Sequence, residues 1–150
     1  MRVRDIMIKD LSAVYADTPI NYVIGMFNHS EKRSLPVIDN DFHLIGCITV
    51  RMLVDKCIPE YFKTLQNPLF LPDNNQFETS IKEMRNEKVE NIMGKNIVTV
   101  YEDGSITEIT SDFLKHSDKT IYVVDYKNHL KGFVDIKHLM CYFACDKKEE

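Results

Sequence analysis

The 150-residue chain has no tryptophan, only five glycines and five prolines, and no strong excess of either charge. So little glycine and proline excludes collagen-like and low-complexity chains, and leaves little room for a glycine-rich phosphate loop. With 19 basic and 23 acidic side chains, the formal net charge is -4. That balance argues against a general nucleic-acid binder, which would need a basic face. Hydrophobic residues make up 44% of the chain, which indicates a folded domain rather than disorder.

Long apolar runs are also missing. No stretch approaches the roughly 20 consecutive apolar residues that span a bilayer, and the amino terminus MRVRDIMIKD has no apolar signal core. Without support for an oxidising compartment, reduced thiols are expected at the four cysteines, Cys47, Cys57, Cys141 and Cys145. The sequence therefore predicts a cytoplasmic protein with neither a membrane nor a nucleic acid as its partner.

What the chain does contain is an internal repeat. A shift of 86 positions aligns residues 3–54 with residues 89–140 without a gap. Identical residues recur along the whole unit rather than in one short motif, which argues against chance. The first copy carries Val3, Ile6, Met7, Val37, Asp39, His43 and Gly46, and the second carries Val89, Ile92, Met93, Val123, Asp125, His129 and Gly132.

Each copy shows the same order of predicted elements: strand, helix, strand, strand, helix. Pro19 suits the first turn of one helix, and Ser105 with Glu108 forms a candidate capping box for its counterpart. Thr49 and Asp135 are predicted N-caps of the two closing helices. The predicted strands are residues 11–14, 35–38 and 44–48 in the first copy and residues 97–100, 121–124 and 130–134 in the second.

A unit of about 50 residues buries too little apolar surface to be stable alone, so we expect the copies to pack into one α+β domain. Between them we predict a helical insert of two short helices, one opening at Pro59 and one capped by Asn75 with Glu78. The predicted divisions are repeat 1 at 1–57, the insert at 58–88, repeat 2 at 89–145 and a charged tail at 146–150.

The paired motifs resemble a known family. The segments DIM and NIM start the copies, LPVID and IYVVD lie in their middles, and GCIT and GFVD lie near their ends. Together they resemble the tandem cystathionine-β-synthase-type (CBS) repeat, or Bateman module. The resemblance implies two βαββα units packed pseudo-symmetrically, assembly as a homodimer, and clefts between repeats that bind adenosine-containing ligands. AMP, ADP, ATP and S-adenosylmethionine are the candidate regulatory ligands, and no cofactor is implied.

The family pattern Gly-x-x-Ser/Thr-x-x-Asp implies a hydroxyl near phosphate and a carboxylate on the ribose. The first copy keeps the glycine and Thr49 but has Met52 in place of the carboxylate. The second keeps the glycine but has Asp135 for the hydroxyl and His138 for the carboxylate. A carboxylate caps a helix well but repels phosphate, so the sequence predicts a retained fold and a weakened nucleotide site.

Other candidate positions each have two interpretations. Arg33 and its repeat partner Lys119 match a basic phosphate-facing position, but Arg33 also fits an ordinary solvated charge run. Ala13 and Thr99 match the adenine slot or serve only as sheet residues, and Tyr122 stacks on a base or fills the core. The candidate ligand-binding residues are Ala13, Arg33, Leu35, Pro36, Thr49, Met52, Thr99, Lys119 and Tyr122.

The sequence shows little evidence of catalytic or metal-binding motifs. The chain has no nucleophile-elbow serine, no metalloprotease histidines and no Cys-x-x-Cys pair, so we expect a protein that is not an enzyme. His138, Cys141 and Cys145 could share a helix face, but a second ligand pair is missing and no metal site is predicted.

Two functions remain open. One is a regulatory module that senses an adenosine ligand, which Arg33 and Thr49 favour. The other is a ligand-free dimeric scaffold that uses its helical faces and insert for protein contacts. Met52, Asp135 and His138 favour the scaffold.

Overall fold

A computed structural model describes residues 1–58, 75–115 and 120–145. Its strands form two three-stranded sheets with the same order. In each sheet the first strand runs parallel to the second, the second runs antiparallel to the third, and the register shifts at the same point of the middle strand. The strands are β1 (Val14–Tyr15), β2 (Ser34–Ile38), β3 (Leu44–Thr49), β4 (Thr99–Tyr101), β5 (Ile121–Val124) and β6 (Leu130–Val134).

The helices complete two βαββα units, so the predicted duplicated α+β fold is confirmed. They are α1 (Val3–Ile6), α2 (Ile20–Asn28), α3 (Val50–Cys57), α4 (Gln76–Met84), α5 (Ile106–Lys115) and α6 (Ile136–Ala144), with a 3₁₀ turn at Val89–Asn91. Within the described ranges, no helix has the length and apolar character needed to cross a membrane. No disulfide joins the four cysteines, all of which lie in those ranges.

The start of each repeat packs on the other repeat. Val3 lies fully buried in the core of the second unit, and Val89 lies fully buried in the core of the first. Their backbone N–H groups donate to equivalent carbonyls, Gly104 at 3.0 Å and Thr18 at 2.9 Å. This reciprocal exchange explains why the two halves form one body, because neither core is complete without a segment of the other.

A third apolar cluster fills the space between the sheets. It contains Ile38, Leu44, Tyr122 and Leu130, so side chains of both repeats contribute to it. At one end the two hairpin turns are joined by reciprocal backbone hydrogen bonds, and the His43 and His129 rings stack with centroids 4.6 Å apart. The structure thus has sheet packed against sheet, as expected from the size of one copy.

Several predicted boundaries were wrong. The first strand of each repeat starts later than expected because its pairing with the middle strand begins only at Val14 and Thr99. Pro19 precedes α2 as its N-cap and does not lie in the first turn. Asn75 has a positive φ of 57° and its side chain does not cap α4, so that capping box does not form. In contrast, the Glu108 N–H donates to the Ser105 hydroxyl at 3.4 Å, as a capping serine requires.

Helix α1 and the 3₁₀ turn were not predicted, because elements of four and three residues are too short to show a helical period. The predicted insert helix at Pro59 and the predicted tail at 146–150 lie outside the described residues.

Candidate ligand-binding cleft

A cleft of about 400 Å³ opens at the seam between the two repeats. We call it the seam cleft. Its walls combine the segment before β1 and the start of β2 from the first repeat with β5, β6 and the start of α6 from the second. The residues that line it are Asp10, Ser12, Glu31, Lys32, Arg33, Ser34, Pro36, Thr120, Tyr122, Leu130, Gly132, Phe133, Asp135, Ile136 and Lys137.

Tyr122 forms a buried part of this wall. Its side chain is only 2% exposed, and its hydroxyl shares a hydrogen bond with the Ser34 hydroxyl of the other repeat. Burial raises the pKa of Tyr122, so the phenol stays neutral throughout the physiological range. The ring therefore packs within the inter-sheet cluster, while its polar end marks the boundary between the two repeats.

An ion pair of the first repeat lies against Phe133 of the second repeat. The Lys32 ammonium pairs with the Asp10 carboxylate and lies 5.2 Å from the centroid of the Phe133 ring. The Ser12 hydroxyl donates to the same carboxylate at 2.6 Å. The hydrogen bond from Lys32, followed by those from Ser12, lowers the pKa of Asp10 to about 2. Lys32 and Asp10 of the first repeat are thus joined to an aromatic ring of the second.

Asp135 caps α6 at the opposite wall, as its residue type predicts. Its carboxylate accepts the His138 backbone N–H at 2.6 Å, so one of the unpaired donors of the first turn is already occupied. The His138 ring contacts the other repeat, because its Nε2 lies 2.6 Å from the Ile6 carbonyl oxygen. Both residues therefore serve structural contacts at the seam.

The remaining charges of the cleft are exposed. Glu31, Arg33 and Lys137 line it with exposed side chains. In the described part of the chain, none of the three forms an ion pair. The seam cleft accordingly offers unpaired charge of both signs to a ligand.

The Thr49 end of the seam is built differently. The Thr49 hydroxyl accepts the Met52 backbone N–H at 3.0 Å, so Thr49 is the predicted N-cap of α3. The Met52 side chain lies against Gly94, where an added Cβ would come within 2.7 Å of the Met52 methyl carbon. Neither Thr49 nor Met52 lines the seam cleft.

The nine candidate positions are thus divided. Three of them line the seam cleft: Arg33, Pro36 and Tyr122. Leu35 is buried in the core of the first repeat, Ala13 is half-buried in the inter-sheet cluster with Met52, and Thr99 is exposed on β4. Lys119 lies outside the described residues. A role of any of them in ligand binding stays a prediction.

Twelve of the fifteen lining residues were not among the candidate positions, and they include Asp10, Ser12, Lys32, Phe133 and Lys137. The family pattern describes one copy at a time and carries no information on contacts between copies. Because the sheets pack face to face, the start of β2 in the first copy lies opposite the end of β6 in the second. The duplication itself was the signal that could have placed Arg33 with Asp135 instead of with Thr49.

Metal-binding groups are sparse. Within the described ranges, Asp39, Asp41 and His43 are the only group whose ligand atoms come together, and His138, Cys141 and Cys145 do not. The Asp39 carboxylate accepts the backbone N–H groups of Asp41 at 2.9 Å and His43 at 2.8 Å. Its role is therefore that of a turn residue, and it carries no metal site by itself.

The chain is similar to known proteins in both sequence and fold. The family model described as the CBS domain matches residues 3–58 and again residues 89–144. A CBS domain-containing protein of Dictyostelium discoideum is 30% identical over 138 residues, which cover 92% of this chain and 88% of that protein.

Several solved structures share the fold. One is CBSX2 in complex with AMP, which aligns with a TM-score of 0.72 at 17% identity and covers 95% of this chain and 96% of that one. A CBSX2 structure from Arabidopsis thaliana also shares the fold. The CBS domain pair of protein MJ0100, in complex with 5′-methylthioadenosine and S-adenosyl-L-methionine, aligns with a TM-score of 0.68 at 18% identity, covering 96% of both chains.

Proposed function

The chain belongs to the CBS-domain family, and we propose that it is a regulatory module that binds an adenosine-containing ligand in the seam cleft. The observation that carries this proposal is the cleft of about 400 Å³, to which both repeats contribute polar side chains and the second repeat also contributes two aromatic rings. A concave site of this size with a few convergent polar groups is typical of small-molecule binding.

The similar structures support the choice of ligand class. CBSX2 was solved with AMP, and MJ0100 with 5′-methylthioadenosine and S-adenosyl-L-methionine. Adenosine is the part that these ligands share. We extend that shared part to this chain as a proposal, with AMP, ADP, ATP and S-adenosylmethionine as the compounds to test.

Regulation follows from the position of the cleft. A ligand that contacts Arg33 of one repeat and Phe133 of the other stabilises one relative arrangement of the two. It shifts the population of arrangements by its difference in affinity for them. The regulated output in this proposal is the contact of the module with a partner protein or with a second copy of the chain.

A dimeric scaffold is the second candidate, and the surface of α6 favours it. Met140 is 64% exposed and Phe143 is 55% exposed, and their spacing places them on the same side of the helix. Exposed apolar side chains grouped in this way are typical of protein contacts. The family resemblance implies a homodimer, and we propose that a second copy covers this surface.

Thermal unfolding with and without ligand separates the two candidates. A ligand at about 100 times its dissociation constant stabilises the folded state by roughly 2.7 kcal/mol. We expect a rise in Tm with at least one of AMP, ADP, ATP and S-adenosylmethionine. Failure of all four at millimolar concentration would contradict sensing and leave the scaffold.

A matched pair of variants then locates the site. Arg33→Ala removes a cation from the cleft wall, and Arg85→Ala removes one from an exposed position at the end of α4 that does not line the cleft. We expect the rise in Tm caused by the bound compound to differ from the wild-type value in Arg33→Ala and to equal it in Arg85→Ala. An unchanged response of both variants would place the ligand elsewhere.

A further inference from the structure

Some charged side chains of the seam cleft form an ion pair and others do not. Lys32 and Asp10 neutralise each other. Arg33 and Lys137 remain as cations without an ion pair in the described part of the chain, and Glu31 and Asp135 remain as acidic groups. A polyanionic ligand would match only the cations, whereas a ligand with charges of both signs would match both groups.

The start of α6 is poorly suited to phosphate. A helix N-terminus attracts anions through its unpaired N–H groups and its dipole. Here the Asp135 carboxylate accepts the His138 N–H at 2.6 Å and places its own negative charge on the cleft wall. A phosphate at this point would be repelled by Asp135 and would find that donor occupied.

The neighbouring ring is suited to a cation instead. Phe133 lies near the end of β6, Asp135 follows as the N-cap of α6, and both residues line the cleft. The Lys32 ammonium, paired with Asp10, already lies 5.2 Å from the Phe133 ring centroid, so the charge that attracts a further cation here is the neighbouring Asp135 carboxylate. Aromatic faces bind ammonium and other onium groups in this way.

We propose that the seam cleft selects an adenosine ligand with a zwitterionic amino-acid tail over one that ends in phosphate. The positively charged sulfonium or ammonium group lies beside Asp135 and Phe133, and the ligand carboxylate lies beside Arg33 or Lys137. This specificity rests on the proposed function, since it concerns the same cleft and the same adenosine core. Asp135 is the residue that determines it.

Isothermal titration calorimetry with three probes tests the specificity on the full chain. S-adenosylmethionine carries the zwitterionic tail, 5′-methylthioadenosine carries the nucleoside and sulfur without it, and AMP carries a phosphate. We expect S-adenosylmethionine to bind at least about tenfold more tightly than AMP, because one charge-assisted hydrogen bond gives a difference of that order. The uncharged 5′-methylthioadenosine should lie between them.

The variant Asp135→Asn removes the charge and keeps a good N-cap, so the fold is preserved. We expect AMP to bind about tenfold more tightly and S-adenosylmethionine about tenfold more weakly, with 5′-methylthioadenosine unchanged. Asp41→Asn is the matched control, since it removes the same charge from an exposed turn that does not line the cleft. Its three affinities should equal those of the wild type.

The outcomes separate the two proposals. Binding of AMP more tightly than S-adenosylmethionine, or an equal change of all three affinities in Asp135→Asn, would overturn the specificity and leave the adenosine site standing. Absence of binding by all three probes would overturn the proposed function, and the specificity with it.

Discussion

The two ends of the seam are built from equivalent positions but present different chemistry. At one end Thr49 caps α3 and Met52 packs against Gly94. At the other end Asp135 caps α6 and His138 contacts the Ile6 carbonyl. The cap position is required by the helix, which accepts either a hydroxyl or a carboxylate there. The comparison shows that duplication can preserve a fold while the chemistry of one end changes.

The backbone, by contrast, is nearly the same at both ends. The N–H of Cys47 donates to the Gly94 carbonyl at 2.9 Å, and the N–H of Phe133 donates to the Ile8 carbonyl at 3.0 Å. These bridges hold the start of each repeat against the third strand of the other. The difference between the two ends therefore arises from side chains and from how closely the backbones approach.

The largest expected effect on stability concerns the close contact between the two backbones at each end of the seam. A Cβ at Gly132 would lie 2.4 Å from the Ile8 carbonyl oxygen, whereas one at Gly46 would lie 2.9 Å from the Gly94 oxygen. Both contacts involve backbone that cannot rotate away. We expect Gly132→Ala to lower the free energy of unfolding by about 3 kcal/mol and Gly46→Ala by about 2 kcal/mol. Urea denaturation of both variants measures the difference, and the reverse order would contradict the comparison.

The next effect concerns the two caps. Thr49→Ala and Asp135→Ala should each lower the free energy of unfolding by about 1 kcal/mol, with the larger loss for Asp135 because its charge also interacts with the helix dipole. Thr49→Ser and Asp135→Asn are the matched controls, since both keep a capping oxygen. The same denaturation experiment applies. A gain of stability in Asp135→Ala would show that the carboxylate is not a cap.

The smallest effect concerns the bridge between Lys32 and Asp10, which the second copy cannot form because Asn96 and Asp118 stand at the equivalent positions. The pKa of Asp10 is about 2 in the folded protein, below the usual value of 3.8. Protonation therefore favours the unfolded state, and the contribution of the pair is present above about pH 4 and lost as pH falls toward 2.

Because the Asp10 side chain is 41% exposed, Asp10→Asn should cost less than about 1 kcal/mol at pH 7. Stability curves between pH 2 and pH 7 should be flatter at the acid end for Asp10→Asn than for the wild type. Asp17→Asn, at an exposed position outside the seam cleft, serves as the control. Equal acid slopes for Asp10→Asn and the wild type would contradict a bridge in solution.

The fold was predictable because the repeat, the apolar runs and the caps at Thr49 and Asp135 all indicated the same topology. The boundaries of the elements were harder to predict. Strand β1 covers only Val14–Tyr15, and its limits depend on its pairing with β2, which the local sequence does not determine. The reciprocal exchange of Val3 and Val89 was also hidden, since it depends on long-range packing.

The candidate cleft was predicted only in part. Arg33, Pro36 and Tyr122 are candidates from the sequence and line the cleft, whereas Lys32 and Phe133 line it without being among the candidates. Their role appears only when the second repeat lies opposite the first. Residue type and spacing within one copy cannot supply that information, because the contact joins two elements that are distant in sequence.

A crystal structure of the protein with S-adenosylmethionine tests most directly whether the seam cleft is the ligand site. The account predicts ligand density between Arg33 and Asp135, in contact with both repeats. Density beside Thr49 instead, or a seam cleft empty at a ligand concentration that raises the Tm, would contradict it.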